Sequence, residues 1–159
     1  MGKQLSFGGD FLPELDRRRT QKAVEQAMET YRLYKYLTAD EGREAKITAS
    51  YELREGGSSG KISDQTADIA IHNVDSKEAK RKYCEWVERN VARLPSMERF
   101  LIRERYICED ADYITDYHVY NFRFQPPIGS KKYDKIRWRA FYKLALDMNI
   151  AVEKGTEEE

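Results

Sequence analysis

Cysteine is scarce: Cys84 and Cys108 are the only two in 159 residues. They form no CxxC pair and have no neighbouring histidine, which argues against a disulfide framework or a zinc site and for a reducing compartment, with both thiols buried. Proline and glycine are sparse as well, at four and nine, whereas a β-sandwich needs frequent turn punctuation; the composition favours helices. Neither sign of charge dominates, with 28 Lys+Arg against 28 Asp+Glu. The chain is therefore neither a polybasic tail nor an acidic disordered segment, and any nucleic-acid binding must come from a local patch. No run approaches the roughly 20 apolar residues that span a bilayer, and the opening Met1 to Phe7 lacks the apolar core of a secretory signal. A soluble cytoplasmic protein with no membrane partner is the expectation. Histidine is limited to His72 and His118, and no Ser/His/Asp or Cys/His arrangement can be built from them, so each reads as a surface or capping residue. No catalytic residue, metal ligand or cofactor is assigned, and the chain is not expected to be an enzyme.

What is present is helical periodicity. Asp10 to Asp16 supplies capping residues and a turn, and from Thr20 apolar side chains recur at Val24, Ala27/Met28, Tyr31, Tyr34 and Leu37, spaced by three and four. Glu25, Gln26, Glu29, Arg32 and Lys35 fill the other face, as in a helix packed on a core. The eleven positions Ser50 to Gly60 hold three glycines and three serines, the composition of a linker. A phosphate-binding loop would need Gly-Lys-Ser/Thr, but Gly60-Lys61 is followed by Ile62 and Ser63. Asp75-Ser76-Lys77-Glu78 has capping-box spacing, and the helix it opens carries Ala79, Tyr83, Trp86/Val87, Val91 and Leu94 until Pro95 stops it. Ser96 can cap a further helix with Met97, Phe100/Leu101, Ile102, Tyr106 and Ile107 as its apolar positions, closed by the acidic Glu109 to Asp112. A short segment Asp116 to Asn121 precedes Pro126-Pro127, which excludes helix there. Gly129-Ser130 opens a last long helix, Lys131 to about Met148.

That last helix holds the largest charge asymmetry. Between Ile128 and Leu146 lie six basic residues, Lys131, Lys132, Lys135, Arg137, Arg139 and Lys143, against Asp134 alone. The 3/4 spacing turns Tyr133, Ile136, Ala140, Phe141 and Leu144 inward and leaves Lys131, Lys132, Asp134, Lys135, Trp138, Arg139 and Tyr142 outward. A solvated charged face would explain many such helices, because Lys and Arg are ordinary helix formers. Cations at a helix N-terminus, however, oppose the helix dipole, and phosphates in contact with that end supply a reason for them. Trp138 reads as core, with stacking at a groove edge as the alternative. Glu109, Asp110, Asp112 and Asp116 form the one acidic cluster that would suit a divalent metal and a nuclease, but they lack the Gly and terminal Glu of a calcium loop. An acidic turn between helices is the simpler explanation.

The order of elements, a helix ending at Leu94-Pro95, a second from Glu98 to Ile107, a short helix, a turn and a basic helix, is the plan of a helix-turn-helix module. Leu94-Pro95-Ser96-Met97-Glu98-Arg99-Phe100-Leu101-Ile102-Arg103-Glu104-Arg105-Tyr106 resembles the first part of region 4 of bacterial sigma factors, Leu-Pro-x-x-Glu-Arg-x-x-Ile/Leu-x-x-Arg-Tyr. Lys132 to Leu144 is similar to that region's recognition helix. Across almost the whole chain the sequence resembles the ArpU family of phage-borne transcriptional regulators from Gram-positive bacteria. That resemblance is carried by Phe11-Leu12-Pro13-Glu14-Leu15-Asp16, Tyr31-Arg32-Leu33-Tyr34-Lys35, Thr48-Ala49-Ser50-Tyr51-Glu52, Ile71-His72-Asn73-Val74-Asp75, Asp116-Tyr117-His118-Val119-Tyr120-Asn121 and Arg139-Ala140-Phe141-Tyr142-Lys143-Leu144-Ala145-Leu146. It departs from a compact sigma-type motif in the eight residues Phe122 to Gly129 between the last two helices, which leave their angle open.

Composition and helical periodicity predict an all-α protein with an N-terminal helical segment (1–40), a flexible linker (41–74) and a disordered acidic tail (151–159), and the resemblance makes residues 75–150 a sigma-region-4-like helix-turn-helix domain. It implies a DNA-binding transcriptional regulator of prophage late or packaging genes, with double-stranded promoter DNA and host RNA polymerase as partners, associated with the nucleoid. By the same resemblance Ser130, Lys131, Asp134 and Lys135 fall at base-contacting positions, Lys donating to guanine and Asp accepting from cytosine. Lys132, Arg137, Arg139 and Lys143 fall at phosphate-contacting ones. The N-terminal helix either packs on the C-terminal half or contacts polymerase or a second subunit. The competing reading is a protein-binding adaptor or anti-repressor that keeps the helix-turn-helix as scaffold. Operator, direction of regulation and oligomeric state stay open.

Overall fold

The structure, a computed structural model, describes residues 12–39 and 64–155. Among these residues there is no strand, only an isolated antiparallel bridge between Leu15 and Glu153; the architecture is mostly α-helical. Helix α1 (Arg17–Thr38) begins where Asp16 turns its carboxylate onto the Arg19 N–H at 3.0 Å, satisfying one of the donors a helix start leaves unpaired. Its buried stripe is Thr20, Val24, Met28 and Tyr31, with Ala27 and Tyr34 half-buried beside it, as the apolar spacing predicts, whereas Leu37, expected on the same face, is 45% exposed.

Helix α2 (Asp64–Ala92) corrects two expectations. It starts well upstream of Asp75, so residues 64–74 are helical backbone rather than linker, and Asp75 is an interior residue rather than a cap. The physical reason is visible in the sequence: no Gly or Pro lies between Asp64 and Asp75, so nothing breaks the helix there, and a capping-box spacing acts only when its first residue leaves helical geometry. The Gly/Ser stretch Ser50–Gly60 and the Gly60-Lys61 site lie outside the described residues. Leu94 and Pro95 end α2, and α3 (Ser96–Ile102) runs on as a π-helical turn, Arg103–Ile107. Ser96 is the first helical residue rather than the cap. The extended backbone of Pro95 makes the entry, its carbonyl accepting the Arg99 N–H at 2.8 Å. Helix α4 (Asp116–His118) is capped by Thr115, whose hydroxyl accepts the His118 N–H at 3.2 Å, and it also widens into a π-helical turn, Val119–Arg123. Helix α5 (Ser130–Asp147) follows Gly129.

Helices α1, α2, α3 and α5, with the π-helical turn after α4, enclose one core. Val24 and Met28 of α1, Val87 and Val91 of α2, Leu101 and Ile102 of α3, Val119, and Tyr133, Phe141 and Leu144 of α5 are buried together. The N-terminal helix is therefore packed on the chain's own C-terminal half, against α2 and α5. The tail corrects another expectation, because residues 151–155 are held against the N-terminal segment. The Asp16 N–H donates to the Val152 carbonyl at 2.7 Å and the Lys154 N–H to the Glu14 carbonyl at 2.9 Å. The buried Thr20 hydroxyl both accepts from the Val152 N–H (3.1 Å) and donates to the Val152 carbonyl (3.2 Å). A buried hydroxyl needs such partners, and here the tail backbone supplies them. Residues 156–159 lie outside the described ones.

Candidate nucleic-acid interface

Helix α5 divides as its periodicity predicts: Tyr133, Ile136, Ala140, Phe141 and Leu144 are buried. Ser130, Lys131, Lys132, Asp134, Lys135 and Arg139 are exposed. Its first turn holds no acid. Lys131, Lys132, Lys135 and Arg139 have no ion-pair partner among the described residues, so their charge is open to a ligand. Asp134 is half engaged, accepting from an Arg137 Nη2 at 3.3 Å.

The other two cations are occupied within the fold. Arg137 is half-buried and its Nη1 donates to Asp116 at 2.7 Å. Lys143 Nζ reaches both oxygens of the buried Glu98, at 2.9 and 3.0 Å, which ties α5 to the first turn of α3. Removing the ammonium strands a buried carboxylate, so Lys143→Met is expected to cost about 1–3 kcal/mol of stability. Denaturant melts of this variant beside the wild type check the loss. Trp138 is half-buried against the core with the Arg17 guanidinium 5.0 Å from its ring centroid. Tyr142 donates to the Pro13 carbonyl at 3.4 Å.

Asp116 is the junction that sequence reasoning missed. One carboxylate oxygen accepts from Arg105 Nε at 2.9 Å and from the Tyr133 hydroxyl at 2.8 Å, and the other takes Arg137. Three elements, the π-helical turn after α3, the start of α4 and the first turns of α5, meet on this one side chain. The connection to α5, six residues rather than eight because the π-helical turn takes in Phe122 and Arg123, is fixed as well. Phe124 is buried, its ring 4.8 Å from Phe100, and the Ile128 N–H donates to the Tyr120 carbonyl at 3.1 Å. Burial and the Asp116 charge push the Tyr133 phenol well above its ordinary range, and burial pushes Tyr106 up to about 12. Because these folded-state values are raised, the stability they contribute is intact below the ordinary tyrosine value near 10 and is lost as pH rises above it. Melting temperature should therefore fall between about pH 10 and 12, and Tyr133→Phe should flatten that decline.

The acidic cluster does not converge. Asp112 accepts from Arg32 at 2.6 Å while Asp116 faces its two arginines. Among the described residues no group of three His, Cys, Asp or Glu side chains is placed to hold a metal ion. Cys84 is buried, but Cys108 is only half-buried, its thiol donating to the Glu104 carbonyl at 3.0 Å; burial pushes both thiols up. His118 lies against Phe122, ring centroids 5.3 Å apart, and the His72 side chain lies outside the description. No helix among the described residues is long and apolar enough to cross a membrane.

The chain is similar to a phage-related protein. That relative, from Listeria innocua and itself uncharacterized, is 25% identical over 143 residues, covering 90% of this chain and 96% of the relative. The similarity spans α1, α2 and the three elements joined at Asp116 alike, so the two proteins correspond along nearly their full lengths. No protein-family model matches the chain, and no solved structure matches it significantly.

Proposed function

We propose that this chain is a sequence-specific DNA-binding regulator of transcription, built on a sigma-region-4-like helix-turn-helix. The observation that carries the reading is the division of labour on α5. Arg137 and Lys143 are consumed in holding the helix to α3 and α4, while Lys131, Lys132, Lys135 and Arg139 stand unpaired on its outer face. A helix pinned through its inner face and cationic at its projecting start suits insertion into a major groove. In that pose Ser130, Lys131, Asp134 and Lys135 meet base edges, and Lys132 and Arg139 meet phosphates. The uncapped start of α5 adds backbone N–H groups that favour a phosphate. α3 with its π-helical turn and α4 form the supporting helices.

The phage-related relative supports a phage setting, and within this proposal the resemblance to the ArpU family narrows it to a regulator of phage late or packaging genes, working in the host cytoplasm on promoter DNA beside RNA polymerase and catalysing no reaction itself. Leu33, Tyr36 and Leu37 on the outer face of α1 are exposed apolar side chains. They support a polymerase contact in this reading and favour the adaptor in the competing one. Chromatin immunoprecipitation of the tagged wild type beside Lys131→Glu/Lys135→Glu separates the two. A sharp peak upstream of one operon, lost in the variant, is the expected result. Absence of any peak for the folded wild type would remove the DNA-binding reading and leave the adaptor.

A further inference from the structure

Four aromatic rings form a ladder from the surface near α4 to the core at α5. Phe122 and Tyr117 lie 6.3 Å apart, Tyr117 and Tyr120 5.6 Å, and Tyr120 and Tyr133 5.5 Å, all tilted or edge to face. The inner end is Tyr133, fully buried. At the outer end Tyr117 and Phe122 are each 60% exposed. Leaving two large rings in water forgoes their transfer free energy, and such patches mark contact surfaces. Here the rings are also held in place by one another, so little side-chain freedom would be lost on contact.

The charge around the ladder indicates what the rings meet. Its inner ring, Tyr133, belongs to the first turns of α5, where Lys131 and Lys132 precede it on the exposed face, and the Ile128 N–H ties the approach to α5 to the Tyr120 carbonyl. Asp116, the acid nearest in sequence, is neutralised by Arg105 and Arg137. Exposed rings joined through ring contacts to the helix that carries these unpaired cations complement a polyanion that carries flat apolar groups. We propose that Tyr117 and Phe122 form a stacking platform for unpaired bases flanking the duplex held by α5. The proposal rests on the DNA-binding reading and extends it from paired DNA to the junction of paired and unpaired DNA. Stacking needs no particular base, because every base has a π-face. The α5 side chains would then read sequence, and the ladder would read strand separation.

The test uses the full chain with fluorescent duplexes of mixed sequence, about 30 base pairs long, either fully paired or carrying a tract of about five unpaired thymines, at low salt. The wild type is expected to bind the opened duplex about tenfold tighter than the paired one. Tyr117→Ala and Phe122→Ala should each reduce that preference, and together abolish it, with affinity for the paired duplex unchanged. Phe122→Leu keeps apolar bulk without a flat face and should behave as the alanine variant does. Because both rings are largely exposed, these variants should melt with the wild type. Equal wild-type affinities for the two duplexes, or a preference that survives in the double variant, would overturn the platform while the DNA-binding reading stands. Failure of the folded wild type to bind either duplex would overturn both.

Discussion

Asp116→Ala is expected to lower the unfolding free energy by about 3 kcal/mol, the lower end of the range for breaking a buried ion pair, because the carboxylate keeps 36% side-chain exposure. The loss comes chiefly from what is left behind. The Arg105 guanidinium, 24% exposed, would lose its carboxylate, Arg137, 18% exposed, would keep only its longer contact to Asp134, and Tyr133 would lose its acceptor in a buried setting. For a chain of this size the change corresponds to a fall in melting temperature of about 6–12 °C. Asp116→Asn keeps an acceptor oxygen but removes the charge and should lie between the alanine variant and wild type. The same variant separates positioning from charge in DNA binding. Deleting a negative charge close to α5 would by Coulomb attraction alone strengthen binding to phosphates. If Asp116 sets the angle between α4 and α5, affinity should fall instead, although the protein has become more cationic. An unchanged melting temperature would show that the three contacts do not tie these helices together. Unchanged stability with higher affinity would reduce Asp116 to a local counter-charge.

Asp116 also marks where sequence reading stopped. The helices were legible because their apolar positions repeat at three and four: the inward face of α5, the stripe of α1 and the break at Leu94-Pro95 could all be placed from spacing. Helix starts were less so. Asp75 has the right residue at the right spacing but sits in mid-helix, and Ser96 stands one place inside the helix it was expected to cap, because capping depends on backbone geometry that spacing does not encode. The tail was misread from its run of acids, since its anchoring depends on the buried Thr20 hydroxyl, 132 residues away from Val152. At the candidate interface, sequence identified the cations but not their engagement. Arg137 and Arg139 look alike in the sequence, and only the position of Asp116 across the fold distinguishes a half-buried tie from an exposed charge. The rings of Tyr117 and Phe122 were likewise invisible as a patch, because neither belongs to a repeating apolar stripe.

Lys131→Glu/Lys135→Glu reverses two of the four unpaired cations and should have the largest effect on binding with the least effect on folding. Both side chains are exposed and lack partners among the described residues, so stability should stay within about 0.5 kcal/mol of wild type. The expected binding follows from counterion release. If Lys131 and Lys135 in the groove and Lys132 and Arg139 on the phosphates each displace one condensed counterion, log affinity falls with log salt at a slope of about −3.6, a loss of about a hundredfold between 50 and 200 mM. Had all six basic residues of the helix faced DNA, the slope would be about −5.4, so a salt titration distinguishes the two counts. In the double variant the slope should flatten to about −1.8 or nearer zero, and affinity at low salt should fall at least a hundredfold. The roles within α5 can be separated in the same assay. Lys135→Ala should cost about 1–3 kcal/mol on a preferred site and relax discrimination at one base pair. Arg139→Ala should weaken all duplexes alike and reduce the slope by about one. A wild-type slope near zero would mean that these four charges face water, and the helix would then be a scaffold for a protein partner.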